Sequence, residues 1–166
     1  MYDELTEIDI KKMEEEIKYR NEKLAPVLRA EMRQARELGD LSENEEYREA
    51  KRAKRSNDGR IRYLENMIRT ARIVDVEKSD GISLFDYVTI RNLDRGLEKR
   101  IQIVTTLRQD ALKGWISKES PVGRAVMGRK AGERVYVDMG AGKGYWLQIL
   151  SIEKGEDDDS IPIGSF

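Results

Sequence analysis

The sequence predicts an α+β protein: a long antiparallel α-helical coiled-coil hairpin, then a small antiparallel-sheet domain carrying one short helix. Three observations predict it. Two apolar seams of helical spacing flank a short turn, the hydrophobic period changes near Asp75, and beyond it β-forming runs alternate with turn sequences.

Residues 8–38 contain no glycine and are rich in helix formers. Ile10, Met13, Ile17, Leu24, Leu28, Met32 and Ala35 recur at steps of three, four or seven and so share one stripe. Pro26 interrupts the run, which predicts a kink or local break there. Gly39 is placed to close the helix. In the second helix, Tyr47, Ala50, Lys54, Asn57, Ile61, Leu64, Ile68 and Ala71 alternate steps of three and four. Polar Lys54 and Asn57 in that seam weaken packing but fix register. Two seams joined by a short turn fold back on each other. At about 1.5 Å per residue, thirty residues make an arm on the order of 45 Å long. These features place a coiled-coil hairpin with an acidic tip in residues 1–75 and a globular domain in residues 76–166.

In the second half, Tyr87–Ile90 and Lys99–Val104 read as strands around the turn Asp94-Arg95-Gly96. Ser120, Pro121 and Gly128 bracket a compact helix, with serine to cap it, proline in the first position and glycine to end it. Arg134–Asp138 and Tyr145–Ile152 are two further strands. Trp115 and Trp146 are expected in the core. The closing GEDDDSIPIGSF has no period and is expected to trail or to dock loosely.

Composition narrows the chemistry. Of 166 residues, 39 % are hydrophobic and 38 % charged, so part of the chain must be elongated and bathed in solvent. The net charge of −1 conceals strong local segregation. With no cysteine and no histidine, disulfides, thiolate nucleophiles, Cys/His zinc sites and imidazole acid–base catalysis are excluded. The start, MYDELTEIDI, lacks the apolar core of a signal peptide, and no run approaches a membrane span, so a cytoplasmic protein is expected.

The turn itself is the densest feature: Glu37, Asp40, Glu43, Glu45, Glu46 and Glu49 face one base, Arg48, within thirteen residues. Capping explains much of this. Ser42 with Glu45, and Asp40 with Glu43, have capping-box spacing, and first-turn acids gain roughly 0.3–1 kcal/mol each from the helix dipole. Metal chemistry is the alternative. Mg²⁺ takes oxygen ligands and is commonly held by one or two carboxylates, so Asp40 and Glu43 would form half a site that a partner completes. Beside the acids run Arg48, Lys51, Arg52, Lys54 and Arg55, with Arg33 and Arg36 on the opposing helix. Salt pairing along the arm accounts for such a stripe, and phosphate binding is the sharper alternative. Tyr47 is favoured as a seam residue over a base-stacking one.

These motifs resemble those of the bacterial Gre transcript-cleavage factors over most of the chain. AREL-GDLSENEEY (35–47) resembles the family's tip motif. Leu64-Glu65 and ARIVD (71–75) resemble the end of its second helix. KGWIS (113–117), SPVGRAVMG (120–128) and GERV (132–135) resemble its C-terminal domain. The resemblance implies a coiled coil that enters the secondary channel of RNA polymerase, and a C-terminal domain of FK506-binding-protein-like fold that grips the channel's rim. It implies that Asp40 and Glu43 act in trans, helping to hold a Mg²⁺ shared with the polymerase while the 3′ end of backtracked nascent RNA is hydrolysed. Gly39, Leu41, Ser42 and Asn44 would shape the tip. Arg36, Arg48, Lys51, Arg52 and Arg55 would steer the RNA. The protein would then be a monomeric cofactor to another enzyme's nuclease, with no small-molecule substrate, no membrane and no tightly held metal of its own. Relatives with altered acidic tips inhibit polymerase; retention of both acids ranks cleavage first. The N-terminal start and the acidic tail depart from the family pattern.

Overall fold

The computed structural model describes residues 2–39 and 44–165. The chain divides into two compact units, Ile10–Ala71 and Met1–Asp9 with Arg72–Phe166. Residues up to Asp9, assigned from sequence to the hairpin domain, thus group with the globular unit.

The helical unit is built from α1 (Glu7–Tyr19), a π-helical turn (Arg20–Leu24), α2 (Ala25–Glu37) and α3 (Glu45–Thr70). The seam positions named above are all buried or half-buried. Leu28, Ala35, Ala50, Asn57, Ile61 and Leu64 are the buried ones on α2 and α3. The interruption at Pro26 takes a specific form. Proline has no N–H, and its ring crowds the carbonyl four residues back. The chain widens into a π turn just before it, where the Ala25 N–H donates to the Arg20 carbonyl. Pro26 then sits in the first turn of α2, where it does no harm. After Leu38, Gly39 adopts φ +124°, a conformation open to glycine and strained for other residues.

A polar layer crosses the hairpin. Arg60, only 5 % exposed, donates to Glu16 at 2.7 Å; Arg20 donates to Glu16 at 3.2 Å and to Asn57 Oδ1 at 2.9 Å. Burial raises the pKa of Glu16, but hydrogen bonds and charge from Arg60 and then Arg20 outweigh it and hold the carboxyl below its usual value. Asn57 Nδ2, also buried, has no hydrogen-bond partner among the described residues.

The globular unit contains β1 (Glu4–Leu5), β2 (Arg72–Ile73), β3 (Tyr87–Asn92), β4 (Glu98–Val104), β5 (Trp115–Ser117), α4 (Pro121–Val126), β6 (Arg134–Gly140) and β7 (Lys143–Glu153). β1 and β2 pair in parallel. The other strands form one sheet in the order β5-β4-β3-β7-β6. The four strands expected from sequence pair antiparallel in the order β4-β3-β7-β6, and β5, unforeseen in sequence, adds a parallel edge beside β4. The core includes Phe85, Val88, Ile101, Ile103, Val137 and Ile149. Ser120 caps α4 by accepting the Gly123 N–H at 3.0 Å. Gly123 is required, because a Cβ there would overlap the Ser117 carbonyl.

Two expectations need correction. Trp115 packs partly buried on the core, but Trp146 is 50 % exposed and leans on Tyr136 with ring centroids 5.5 Å apart. Trp146 opposes Tyr136 across the β6–β7 ladder, while its neighbour Leu147 points into the core. The tail does not trail. Gly155 donates to buried Asp86, Asp157 binds Arg108, Ile161 enters the core and Gly164 donates to the Leu107 carbonyl. Arg108 is the anchor: fully buried, it reaches Asp9 Oδ1 at 2.7 Å, Asp157 Oδ1 at 2.5 Å and Thr6 Oγ1 at 3.2 Å, and lies 4.7 Å over the Phe85 ring.

Candidate functional site

Of the tip residues, Gly39 and Asn44 fall within the described part of the chain; Asp40, Leu41, Ser42 and Glu43 lie outside it. Asn44 is the N-cap of α3, its Oδ1 accepting the Tyr47 N–H at 3.1 Å. Capping at this helix start therefore comes from Asn44, with Glu45 and Glu46 in the first turn. The Asn44 Nδ2 donates in the other direction, 2.6 Å to the Ala35 carbonyl in the last turn of α2.

A second strut crosses at the same level. The Arg36 guanidinium lies 5.6 Å from the Tyr47 ring centroid and donates to the phenol oxygen at 3.5 Å. That hydrogen bond lowers the pKa of Tyr47; burial opposes it, and the charges of Arg36 and Lys51 lower it further. Tyr47 is half-buried in the seam.

Acid and base occupy the helix surfaces around this base. Glu31, Glu45, Glu46 and Glu49 line a shallow groove floored by Ala35 and Ala50. Of the basic stripe, Arg48 pairs with Glu45 at 3.2 Å and Arg52 with Glu49 at 3.8 Å. Both pairs are exposed and worth at most about 1 kcal/mol each, so they break readily for a better partner. Lys54 turns to Asp58 at 2.9 Å. Lys51 and Arg55 are exposed and have no acidic partner among the described residues. Salt pairing thus accounts for part of the stripe and leaves part of its charge facing solvent.

Among the described residues no group of three or more acidic side chains could hold a metal ion. Two carboxylates such as those of Asp40 and Glu43 are donors of the right kind for Mg²⁺ but too few to hold it without added ligands. Sequence reasoning missed the Ala35 carbonyl as a partner of Asn44 because a backbone acceptor leaves no mark on side-chain patterning. The signal available was the orphan carbonyls that every helix end must satisfy.

In the globular unit, a second concavity of 640 Å³ lies between α4 and β6, where Arg124, Arg129 and Arg134 surround the exposed Tyr136–Trp146 pair. Among the described residues no helix is long and apolar enough to cross a membrane.

Residues 4–73 match the family model "Transcription elongation factor, N-terminal", and residues 69–154 match "Transcription elongation factor, GreA/GreB, C-term". The chain is 41 % identical to the transcription elongation factor GreA of Thermosipho africanus, over 90 % of this chain and 95 % of that one. It is 40 % identical to the GreA of Thermoanaerobacter pseudethanolicus, over 90 % and 96 %. The crystal structure of GreA factor homolog 1 (Gfh1) of Thermus thermophilus superposes with a TM-score of 0.43 at 20 % identity, covering 93 % of this chain and 100 % of that one. Two family models matched in chain order, with a relative 41 % identical over 90 % of the chain, make this chain a member of the GreA/GreB family of transcription elongation factors.

Proposed function

We propose that this protein binds bacterial RNA polymerase, inserts its hairpin into the secondary channel and stimulates the polymerase's own Mg²⁺-dependent cleavage of backtracked nascent RNA. The observation that carries the reading is the family membership of a chain that keeps Asp40 and Glu43 between two stapled helix ends. The carboxylates of Asp40 and Glu43 would supply oxygen ligands in trans and would orient the attacking water. A Mg²⁺ ion held jointly with the polymerase would lower the pKa of that water and neutralise developing phosphate charge. Lys51 and Arg55, with Arg36, Arg48 and Arg52, offer cations to the phosphates of the extruded RNA. The globular unit holds the polymerase at the rim of the channel.

Stalled, backtracked elongation complexes test this. Added protein should release 3′ RNA fragments, and Asp40→Ala or Glu43→Ala should abolish release while binding to polymerase persists. Binding that slows synthesis without releasing fragments would make the protein an inhibitor of the same channel. The isolated protein should bind Mg²⁺ only weakly; tight stoichiometric binding would contradict a shared site.

A further inference from the structure

We infer that the concavity between α4 and β6 is a nucleotide site, taking one nucleoside triphosphate with its base stacked on Trp146 and its phosphates among Arg124, Arg129 and Arg134. The site lies wholly within the globular unit and stands apart from the proposed function.

The sheet lays out its parts in a fixed order. Arg134, Tyr136 and Asp138 alternate along β6 and so share one side, and Trp146 stands opposite Tyr136 on β7. The same alternation sends Val135, Val137 and Leu147 into the core. The pleat therefore leaves the aromatic pair toward solvent, Tyr136 44 % and Trp146 50 % exposed. Gly144 makes room for it, because a Cβ there would overlap the Tyr136 ring and the Val137 carbonyl. The two rings meet at 57°, so they offer one stacking platform and not a pair of parallel walls. Across from them α4 supplies the other wall through Pro121 and Ala125. The space of 640 Å³ falls within the range of about 300–1,000 Å³ usual for small-ligand pockets.

Charge selects the ligand. Arg134 is exposed and has no ion pair among the described residues. Arg124 reaches Glu119 at 3.4 Å and Arg129 reaches Glu133 at 3.8 Å, exposed pairs that yield readily to the bidentate grip of a phosphate. Asp138 also lines the pocket, its Oδ1 accepting the Gly140 N–H at 2.8 Å. It lies beyond Tyr136 at the end away from Arg134, so it repels phosphate there and directs the ligand's charge to the arginines. A strand of RNA brings one phosphate per base. One platform among three guanidinium groups matches a ligand with more phosphates than bases, as a nucleoside triphosphate has.

Titration calorimetry of the full chain with ATP in Mg²⁺-free buffer tests this. Binding should saturate at one site and quench tryptophan fluorescence. Trp146→Ala should weaken ATP at least about fivefold, the loss of one stacked base. Trp146→Phe keeps a ring, so it should hold affinity within about threefold of wild type while the quench disappears. Arg134→Gln should weaken ATP about tenfold, whereas Arg100→Gln, a cation outside the pocket, should leave binding unchanged. Trp146, Arg134 and Arg100 are exposed, so these variants keep the fold. Inorganic tripolyphosphate, which has no base, should bind at least about fivefold more weakly than ATP. No saturable binding at millimolar ATP would overturn the site. Tripolyphosphate binding as tight as ATP, or Trp146→Ala binding like wild type, would overturn the stacked base. Hexaadenylate binding more tightly than ATP would assign the pocket to a strand and overturn the mononucleotide reading.

Discussion

At the residue scale, the strongest commitments are buried charges that each satisfy several partners. Arg108 holds Asp9 and Asp157 with no exposure of its own, and removing a partner from such a set leaves a charge stranded away from water. Arg108→Met, which keeps the stem's packing against Phe85, should destabilise the globular unit by about 3–5 kcal/mol in a denaturant titration. A midpoint within experimental error of wild type would show the ions to be solvated. Asp86 is the second case. Burial raises its pKa, but Lys154 at 2.8 Å, the Ser83 and Gly155 amides, and Lys78 at 3.2 Å hold the carboxyl below its usual value of 3.8. Glu16 is likewise held below 4.5. Carboxyls that resist protonation when folded stabilise fully above those usual values, and that stability is lost as pH falls through the depressed ones. Unfolding midpoints should be flat from neutrality to roughly pH 5 and fall below about pH 4. Asp86→Asn and Glu16→Gln should flatten the fall, and an unaltered acid profile would count against both assignments. None of these pairs was legible in the sequence. Asp9 lies 99 residues from Arg108 and Asp157 lies 49, and one sequence holds no signal for contacts at such separation.

At the element scale, the hairpin was legible because its order is periodic. Every seam position from Ile10 to Ala71 is shielded, and Gly39, Ser120 and Gly128 sit at the turns and caps their chemistry suits. Elements set by a neighbour were not legible. β5 is three residues long and exists as a strand because β4 offers it an edge. The tail docks because Gly155 lets the chain pass against the Phe85 carbonyl, where any Cβ would collide. At the tip, the sequence marked the acids and the turn, but the staple from Asn44 depends on a backbone acceptor. Asn57 tests what the seam's polar residues do. Its buried Nδ2 lacks a partner, so Asn57→Leu should raise hairpin stability by about 1 kcal/mol in a thermal melt. A polar seam residue also restricts pairing to one register. The same variant should therefore self-associate more than wild type in sedimentation. A lower melting temperature would mean that the Arg20–Asn57 bond outweighs the orphan donor.

At the scale of the whole molecule, the family match and the folded unit have different limits. The C-terminal family match stops at residue 154, which makes the last twelve residues look dispensable. The structure ties them in at several points, among them Gly155 to Asp86, Asp157 to Arg108 and Thr6, Ile161 in the core and Gly164 to Leu107. Two of those points touch buried charges, so losing the segment both opens the core and strips Arg108 of one carboxylate. Truncation after Lys154 should cost about 4.5–8 kcal/mol, the sum of one buried apolar side chain and a broken ion set. Truncation after Ile163 removes the Gly164–Leu107 bond and should cost about 1 kcal/mol. Denaturant unfolding of the two truncations side by side separates a docked segment from an appendage. If the longer truncation costs no more than the shorter, the tail contributes nothing beyond its last bond, and Arg108 is held by Asp9 and Thr6 alone.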